Sequence, residues 1–479
     1  MYRYARFQIF GMVSSHFTTF STAYRRRKLL HKFTHLNDSA SRLHCEGLKR
    51  RYCRQMVSGG INSNRYLYPF SESILENFMR SFIVICTLLF FQQVVFAQNI
   101  TISSKAVDKD TREPLPFASV GIKGKPIGTI TNLQGDFDFH FLQEYRNDIF
   151  VISMLGYVNF EAPVWTLLEN KEVEIGLSKS TTVLKTVIVS DSLFGGDILR
   201  IALGRINENY PEKPFMMDGF YRDLKKIGGT YISLLEAAVK IYDENYREPR
   251  NKSKLRERVT LREVRRSIGY STKFTTYFDQ DNLLEVLLLN NDVRYRLFPT
   301  EEAFFGNLHR DTDSYYNGHE VFVVSHDTDF KLKVFIDKKT FGILHVEYEN
   351  NLPEDLGRRR GLTRRFESIK RTVDFRYFEG KFFLNYITVD YKVNWYDSET
   401  EKLRFETELQ QQLLINEVAA DPGERITKKM RSYGLQYQDQ PYNKIFWDNY
   451  NVIKESPLDK KIVADLELAG PLDSQFEKN

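Results

Sequence analysis

The chain has 479 residues with 37 Phe and 27 Tyr, which is enough apolar material for two or three folded domains. Its formal net charge of +5 is unevenly distributed, because residues 1–97 carry 14 Lys/Arg and 4 Asp/Glu and residues 98–479 carry a net charge of −5. All three cysteines precede residue 98, which excludes disulfides, thiolate metal sites and a cysteine nucleophile from the remainder. That acidic remainder predicts no nucleic-acid partner, although the basic run at residues 24–28 alone would suit a nuclear-localisation or mitochondrial signal.

A secretory signal peptide is predicted at residues 79–97. It has a short basic start, an apolar run over residues 82–91, and small residues at the −3 and −1 positions of a cut before Gln98. The apolar run is too short for a membrane span of about 20 residues, and a signal anchor is the alternative. Residues 1–78 are then an upstream extension that is disordered or not translated.

Residues 98–190 are predicted to form a β-sandwich, because about seven short strands are separated by turns. Phe137, Phe139 and Phe141 alternate at period two, which is typical of a half-buried strand. Asx residues and a proline at residues 108–114 supply the chemistry of a turn. The chain is therefore predicted to be mainly β.

Three motifs follow one another in this segment: VDxDTxEPLPFASV from Val107, GTxTNxxGxF from Gly128 and SxLGY from Ser153. Together they resemble the carboxypeptidase-regulatory-like domain of exported Bacteroidota proteins, which often precedes TonB-dependent receptors. The resemblance implies a seven-stranded, transthyretin-like sandwich without a peptidase zinc site, because this domain is the non-catalytic companion of a metallocarboxypeptidase. Its glycines are interpreted as turn and bulge positions.

Residues 191–479 are predicted to form an α+β domain with flanking helices. Apolar positions at helical spacing predict a helix over residues 198–206, which Pro211 stops. Residues 218–223 and 231–242 predict paired strands, and the order of these features resembles a second group of Bacteroidota envelope proteins with the same sandwich. Four side chains in these strands are the candidate functional residues: Tyr221, Arg222, Glu236 and Tyr242.

Glu236 is the most unusual carboxylate, because it interrupts an apolar strand. One interpretation is a catalytic acid, because burial in an apolar strand would raise the pKa of the Glu236 carboxyl. The other is a carboxylate that is hydrogen-bonded or faces outward. No His-Glu-x-x-His zinc helix, nucleophile elbow or phosphate-binding loop follows the leader. The sequence therefore predicts no catalytic site, no cofactor and no metal.

Two basic segments, residues 245–266 and residues 358–365, allow two interpretations. The first contains nine Lys/Arg, and the second places its arginines in a Gly-containing loop. Each is either a solvated surface or a surface for an anionic partner.

The C-terminal half predicts a curved antiparallel sheet of β-meanders, with a hairpin loop at residues 379–381. The segment from Val334 to Ile343 resembles the open sheet of periplasmic lipoprotein-carrier proteins, which implies an apolar concavity that holds a ligand. A sheet with one apolar face needs a cover. The helix at residues 198–206 and the terminal segment at residues 446–468 are the expected covers.

These features predict a non-catalytic envelope protein, exported to the periplasm or outer membrane. The sandwich would be an adaptor, and the second domain would bind a lipid, a glycan or a protein partner from the periplasmic side. A hydrolase of envelope material is one alternative, acting through carboxylates such as Glu236, Asp243 or Asp337 that converge within about 5–10 Å. A small outer-membrane barrel of about eight strands is the other.

Overall fold

The computed structural model describes residues 99–170, 174–180, 193–267, 269, 276–278, 282–427, 434–438, 440–454 and 459–478. Phe96–Asn479 form one compact unit. The predicted upstream extension, the signal peptide and the domain boundary near residue 190 lie outside the described residues and stay predictions. No helix among the described residues is long and apolar enough to cross a membrane.

The N-terminal part is a sandwich of two sheets. Its elements are β1 (Asn99–Asp108), β2 (Ser119–Ile122), β3 (Gly128–Ile130), β4 (Asp136–Leu142), β5 (Ile149–Ser153), β6 (Phe160–Pro163), α1 (Val164–Asn170) and β7 (Glu174–Leu177). One sheet has the order β4-β1-β7 and the other the order β3-β2-β5-β6, which confirms the seven-stranded sandwich. Phe137, Phe139 and Phe150 are fully buried in its core. Gly135 and Gly156 lie in turns with φ of +79° and +80°, which glycine adopts without strain.

The rest of the chain is built on one sheet of twelve strands among the described residues. They are β8 (Phe215–Ile227), β9 (Thr230–Asp243), β10 (Arg258–Arg266), β11 (His309–Arg310), β12 (Ser314–Tyr316), β13 (His319–His326), β14 (Lys331–Asp337), β15 (Ile343–Asn350), β16 (Glu354–Arg359), β17 (Leu362–Phe378), β18 (Lys381–Asp397) and β19 (Leu403–Ala420). The order is β10-β9-β8-β19-β18-β17-β15-β14-β13-β11, while β12 pairs with β13 and β16 with β17. The predicted meanders are confirmed. The loop expected at residues 379–381 is one residue shorter, because Lys381 begins β18.

Short helices connect and follow these strands. They are α2 (Gly195–Gly204), α3 (Ile206–Asn209), α4 (Leu283–Leu289), α5 (Asp292–Tyr295), α6 (Glu302–Gly306), α7 (Lys444–Trp447), α8 (Asp459–Leu466) and α9 (Leu472–Lys478). The helix predicted over residues 198–206 is interrupted at Arg205, whose φ of −95° and ψ of 10° are not helical. It therefore consists of two helices, α2 and α3.

Face 1 of the large sheet carries Tyr221, Val239 and Ile387 and packs against helices. These side chains belong to one apolar cluster with residues of α2, α4, α5 and α6. The helices fill this face, so the open apolar concavity expected from the sequence is not observed in the described part of the chain.

Face 2 is the opposite side of the sheet. An apolar cluster at one end joins it to the sandwich and the C-terminal segment: Ile130, Phe220, Ala238, Tyr386, Leu414, Trp447, Tyr450 and Ile453. Beside that cluster, Leu466 of α8 and Phe476 of α9 pack on Leu224 and Leu234. The terminal segment is a cover, as expected, but it covers the face opposite to α2.

The C-terminal segment also links the sandwich to the sheet. The Asn451 side chain donates to the His140 carbonyl at 2.9 Å and accepts from the His140 N–H at 2.7 Å, so it pairs with β4. The Asn451 carbonyl accepts from Asn416 Nδ2 of β19 at 2.8 Å. Lys454 forms an ion pair with Asp138 at 2.8 Å. The C-terminal segment therefore forms hydrogen bonds with both the sandwich and the large sheet.

The first basic segment is irregular over residues 245–257 and continues as β10, whereas the second lies on β16 and β17 around their turn. In β10, Arg262 pairs with Asp218, and Arg265 pairs with Glu236, a carboxylate that Arg222 shares. Residues 358–365 form the tip of the β16–β17 hairpin, with Arg360 and Gly361 at positive φ in its turn. The prediction of a loop for the arginines of residues 358–365 is therefore wrong, because β16 and β17 pair up to the two-residue turn.

Candidate functional site

Two of the four candidate residues, Arg222 and Glu236, face each other on β8 and β9 of face 2. Arg222 Nε donates to Glu236 Oε1 at 2.6 Å, and Arg265 Nε of β10 donates to Glu236 Oε2 at 2.5 Å. Glu236 is 1% exposed and Arg222 is 6% exposed. We call Arg222, Glu236 and Arg265 the buried triad. Its carboxylate is a buried charge that two guanidinium groups compensate.

The environment of Glu236 decides its protonation state. Burial alone would raise the pKa of its carboxyl, but the positive charges of Arg265 and Arg222 outweigh burial and lower the pKa below its usual value. The interpretation of Glu236 as a catalytic acid with a raised pKa is therefore wrong. Glu236 is ionised at neutral pH and has no proton to donate, so the hydrogen-bonded interpretation describes it.

The C-terminal segment closes over the buried triad. Arg222 Nη2 donates to the Ile453 carbonyl at 3.1 Å. Arg265 lies 4.5 Å from the ring centre of Trp447 and 5.2 Å from that of Phe476. A cavity of about 20 Å³ remains at the triad, which has room for one water molecule. It is lined by Arg222, Leu224, Leu234, Glu236, Ile462, Val463 and Leu472.

The other two candidates lie elsewhere. Tyr221 is on face 1, where its hydroxyl accepts from Gln411 Nε2 at 2.9 Å and donates to Asp223 at 3.3 Å. Burial raises the pKa of Tyr221 well above its usual value. Tyr242 is six residues beyond Glu236 on β9, about 20 Å along the strand. The structure therefore does not bring the four candidates into a single site.

The carboxylates suggested for a hydrolase do not converge. Asp243 is about 23 Å from Glu236 along β9 and accepts from Arg294 Nε of α5 at 2.6 Å. Asp337 lies six strands from β9, about 29 Å across the sheet, with His319 Nδ1 2.6 Å from its Oδ2. These separations exceed the ~5–10 Å that glycoside hydrolysis requires. Among the described residues, no group of three or more His, Cys, Asp or Glu is arranged to hold a metal ion.

Two rows of side chains run across face 2 from the buried triad to open surface. Row A follows the strand pairing through Lys333, Glu347, Thr372, Thr388, Gln412, Arg222, Glu236 and Arg265. Row B follows it through Lys331, Glu349, Lys370, Asp390, Gln410, Leu224 and Leu234. The ends on β8 and β9 lie beneath the C-terminal segment. We call the part on β14, β15, β17, β18 and β19 the open polar face; the Lys370 side chain there is 64% exposed.

Two acceptors on the open polar face have no protein donor. Oε1 of Gln412 is buried without a hydrogen-bond partner, and the side chain of Asp390 makes no hydrogen bond or ion pair with any residue that the structure describes. Burial and the negative charge of Glu408 raise the pKa of Asp390 to about 6, against the opposing charges of Lys392 and Lys370. The Gln412 oxygen is enclosed by protein atoms, whereas the Asp390 side chain is partly exposed and open to water.

A second buried cluster lies where the sandwich meets the sheet. Asp374 Oδ2 accepts a hydrogen bond from the Tyr316 hydroxyl and lies 2.8 Å from His345 Nδ1. Asp374 Oδ1 accepts from Asn385 Nδ2 at 2.8 Å, and the same amide reaches Ser119 Oγ of the sandwich at 3.5 Å. We call Tyr316, His345, Asp374 and Asn385 the junction cluster.

His345 is charged in this cluster. Burial disfavours the imidazolium, but its hydrogen bonds to Asp374 and Glu347 outweigh burial and raise the pKa of His345 to about 9. Sequence reasoning did not single out this cluster. The available signal was the one that pointed to Glu236, because His345 and Asp374 also interrupt apolar strands.

Comparisons with known proteins concern mainly the sandwich. The family model of the CarboxypepD_reg-like domain matches residues 102–189. The TonB-dependent receptor SusC of Bacteroides thetaiotaomicron is 35% identical over 115 residues, which are 24% of this chain and 10% of the receptor. The chain thus spans about a tenth of the length of the curated relative that it matches.

Solved structures give weaker likenesses. A LolA superfamily protein from Nitrosomonas europaea is 12% identical with a TM-score of 0.16, covering 47% of this chain and 94% of that one. Lipovitellin is 8% identical with a TM-score of 0.23, covering 49% and 28%. MucB in complex with MucA is 8% identical with a TM-score of 0.16, covering 48% and 100%. At these TM-scores the likenesses carry no argument about fold or function.

Proposed function

From the premise that residues 102–189 form a CarboxypepD_reg-like domain, we propose that this chain is an exported, non-catalytic envelope protein. Its sandwich acts as an adaptor, and its open polar face binds a partner at the outer membrane from the periplasmic side. The partial identity to a TonB-dependent receptor supports that setting. The leader predicted at residues 79–97 provides the export signal.

One observation carries the partner-binding part of the proposal. The apolar surface of face 2 is covered by the sandwich and the C-terminal segment, whereas the open polar face beside them stays accessible, with the Lys370 side chain 64% exposed. A partner that supplies a donor to the partly exposed Asp390 carboxylate would fit this face.

The buried charged clusters support structural roles. Glu236 is held between two arginines, and Asp374 is enclosed by three donors, so neither carboxylate is placed to meet a substrate. The hydrolase alternative therefore gains no support from these groups. Loss of turnover on envelope material in Glu236→Gln, with folding retained, would reverse that judgement.

Export and location are tested by expressing the full chain with its own leader in a Bacteroides host. We expect the tagged protein in the outer-membrane or periplasmic fraction, with an N-terminus near Gln98 by Edman sequencing. A cytosolic protein, or one that retains residues 1–78, would contradict the proposal. Chemical cross-linking in intact cells then tests the partner, since a Lys370→Glu variant should lose the cross-linked species and a Lys123→Glu variant on the sandwich should keep it.

A further inference from the structure

We propose that residues 244–257, which connect β9 to β10, dock on an anionic phospholipid surface. We call these residues the basic loop. The inference rests on the envelope location in the proposed function and concerns a surface other than the open polar face. It selects an anionic partner over a merely solvated surface for the first basic segment.

The basic loop carries positive charge that its own carboxylates do not compensate. It contains five Lys/Arg and three Glu. The three carboxylates are already engaged: Glu244 with Arg258 and Arg425 outside the loop, Glu248 with Lys252, and the buried Glu257 with the Tyr295 hydroxyl. The other four cations are exposed and make no side-chain hydrogen bond or ion pair with any residue that the structure describes: Arg247, Arg250, Lys254 and Arg256.

Neighbouring elements hold the backbone of the basic loop in place. The Tyr246 side chain is buried in the core of face 1. Arg294 Nη1 of α5 donates to the Arg247 carbonyl at 2.9 Å. The Arg256 N–H donates to the Tyr295 hydroxyl at 3.0 Å. The loop is thus anchored near both ends, which lowers the entropy that it loses on docking.

The arginines at residues 358–365 are bound differently. Arg360 donates to Thr276 Oγ1 at 2.7 Å. Arg364 Nη2 donates to the Leu356 carbonyl at 2.8 Å. These guanidinium groups have protein partners, whereas the four cations of the basic loop stay available to an anion from outside.

A lipid surface fits the basic loop better than a protein partner does. The apolar side chains of the loop face inward, because Tyr246 and Pro249 are buried and Leu255 packs against the core of face 1. A protein interface usually has an apolar or aromatic centre from which charged residues are depleted. An anionic membrane requires only positive charge, since its headgroups diffuse laterally and can meet cations at any spacing.

The charge distribution of the chain gives this contact a direction. Residues 98–479 carry a net charge of −5, so an anionic surface repels the folded protein as a whole. The unpaired cations of the basic loop are attracted to the same surface over a short range, because salt screens longer distances. The β9–β10 connection is therefore expected to face the lipid.

Vesicle flotation tests the inference. The protein is expressed with its own leader and purified from the envelope fraction, because a retained basic leader would itself bind anionic lipid. The probes are vesicles of phosphatidylcholine and phosphatidylglycerol in equal parts, and vesicles of phosphatidylcholine alone. We expect binding to the anionic vesicles only, with release as salt rises from about 0.1 M to about 1 M.

A matched pair of double variants locates the contact. Arg250→Glu/Lys254→Glu should weaken binding to the anionic vesicles by about tenfold or more, because each reversal replaces an attraction by a repulsion. Lys123→Glu/Lys460→Glu makes the same change in net charge at exposed sites on the sandwich and α8, and should leave binding nearly unchanged. Thermal unfolding checks that both variants fold. A retained leader would be common to both variants, so their comparison decides in either case.

Four outcomes would overturn the inference: no binding to anionic vesicles, equal binding to neutral ones, equal binding by the two double variants, or binding to immobilised poly-L-glutamate without binding to vesicles. The last would assign the basic loop to an acidic protein partner. The proposed function fails on a different observation, since it requires an envelope location and a cross-linked partner. A protein that fractionates with the envelope and cross-links through Lys370 but binds no anionic vesicles keeps the proposed function and loses the lipid contact.

Discussion

The buried triad and the junction cluster both hold a carboxylate on face 2, but they neutralise it with different cations. Glu236 lies between two guanidinium groups, which stay protonated wherever the protein is folded. Asp374 is paired with the imidazolium of His345 and accepts further hydrogen bonds from Tyr316 and Asn385. The triad therefore keeps its charge state over a wide pH range, whereas the junction cluster loses a proton in the alkaline range.

The two clusters also differ in what they hold together. The triad joins β8, β9 and β10 beneath the C-terminal segment, through Arg222 and the Ile453 carbonyl. The junction cluster joins β12, β15, β17 and β18 and reaches Ser119 of the sandwich through Asn385. A change of pH should therefore act at the attachment of the sandwich and leave the triad unaffected.

The largest effect is expected from Glu236→Gln. The variant leaves two buried guanidinium groups without their carboxylate, which should lower the free energy of unfolding by about 3–5 kcal/mol. Urea denaturation of the full chain measures this. Glu161→Gln, which breaks the exposed pair with Lys123, is the control and should cost less than about 1 kcal/mol. Equal effects of the two variants would show that the triad does not stabilise the fold.

Asp374→Asn should be the next most damaging change. It removes the partner of the imidazolium and an acceptor for Tyr316, at a cost of about 3 kcal/mol in the free energy of unfolding. A double-mutant cycle with Tyr316→Phe sharpens the test, because residues of one network should couple by about 0.5 kcal/mol or more. Strict additivity in that cycle would separate Tyr316 from the cluster.

Stability should fall as pH rises from about 6.5 to 9. The pKa of His345 is raised to about 9 in the folded chain, above the 6.5 of the free side chain, so its contribution is full below 6.5 and is lost as pH passes through 9. The loss should reach up to about 3 kcal/mol, following a shift of this size. Urea denaturation across this pH range measures it. His345→Gln should flatten the profile, and a decline that persists in this variant would point to another titrating group.

The smallest effect is expected from Asn451→Ala. The change removes two hydrogen bonds to the backbone of His140, where water can partly replace them, so the free energy of unfolding should fall by about 1 kcal/mol. Asn449→Ala is the matched control, because its amide bonds only within its own helical turn. If both variants behave alike in urea denaturation, the C-terminal segment does not fasten the sandwich through Asn451.

The local sequence pattern was enough to predict the strands and turns of this protein. Alternating phenylalanines at Phe137 and Phe139 were enough to predict a half-buried strand, because strand side chains alternate between faces. Gly228 and Gly229 separated two apolar runs and form the β8–β9 turn, since glycine adopts positive φ without strain. A charged residue inside an apolar strand was a sound reason to select Glu236, and the structure pairs it with Arg222, another candidate.

Only the tertiary structure decided what surrounds those residues. Arg222 bonds to a carbonyl 231 positions later, and the junction cluster draws on four strands and the sandwich, so no local pattern contains either set. The pKa of a buried group depends on charges that strand pairing brings within a few ångströms. For that reason the pKa values of Glu236 and Asp390, both carboxylates on face 2, shift in opposite directions. Two arginines beside Glu236 lower its pKa despite burial, whereas burial and the nearby Glu408 raise the pKa of Asp390. Register across the sheet, set by contacts distant in the chain, places two arginines beside the first carboxylate and a second carboxylate near the other.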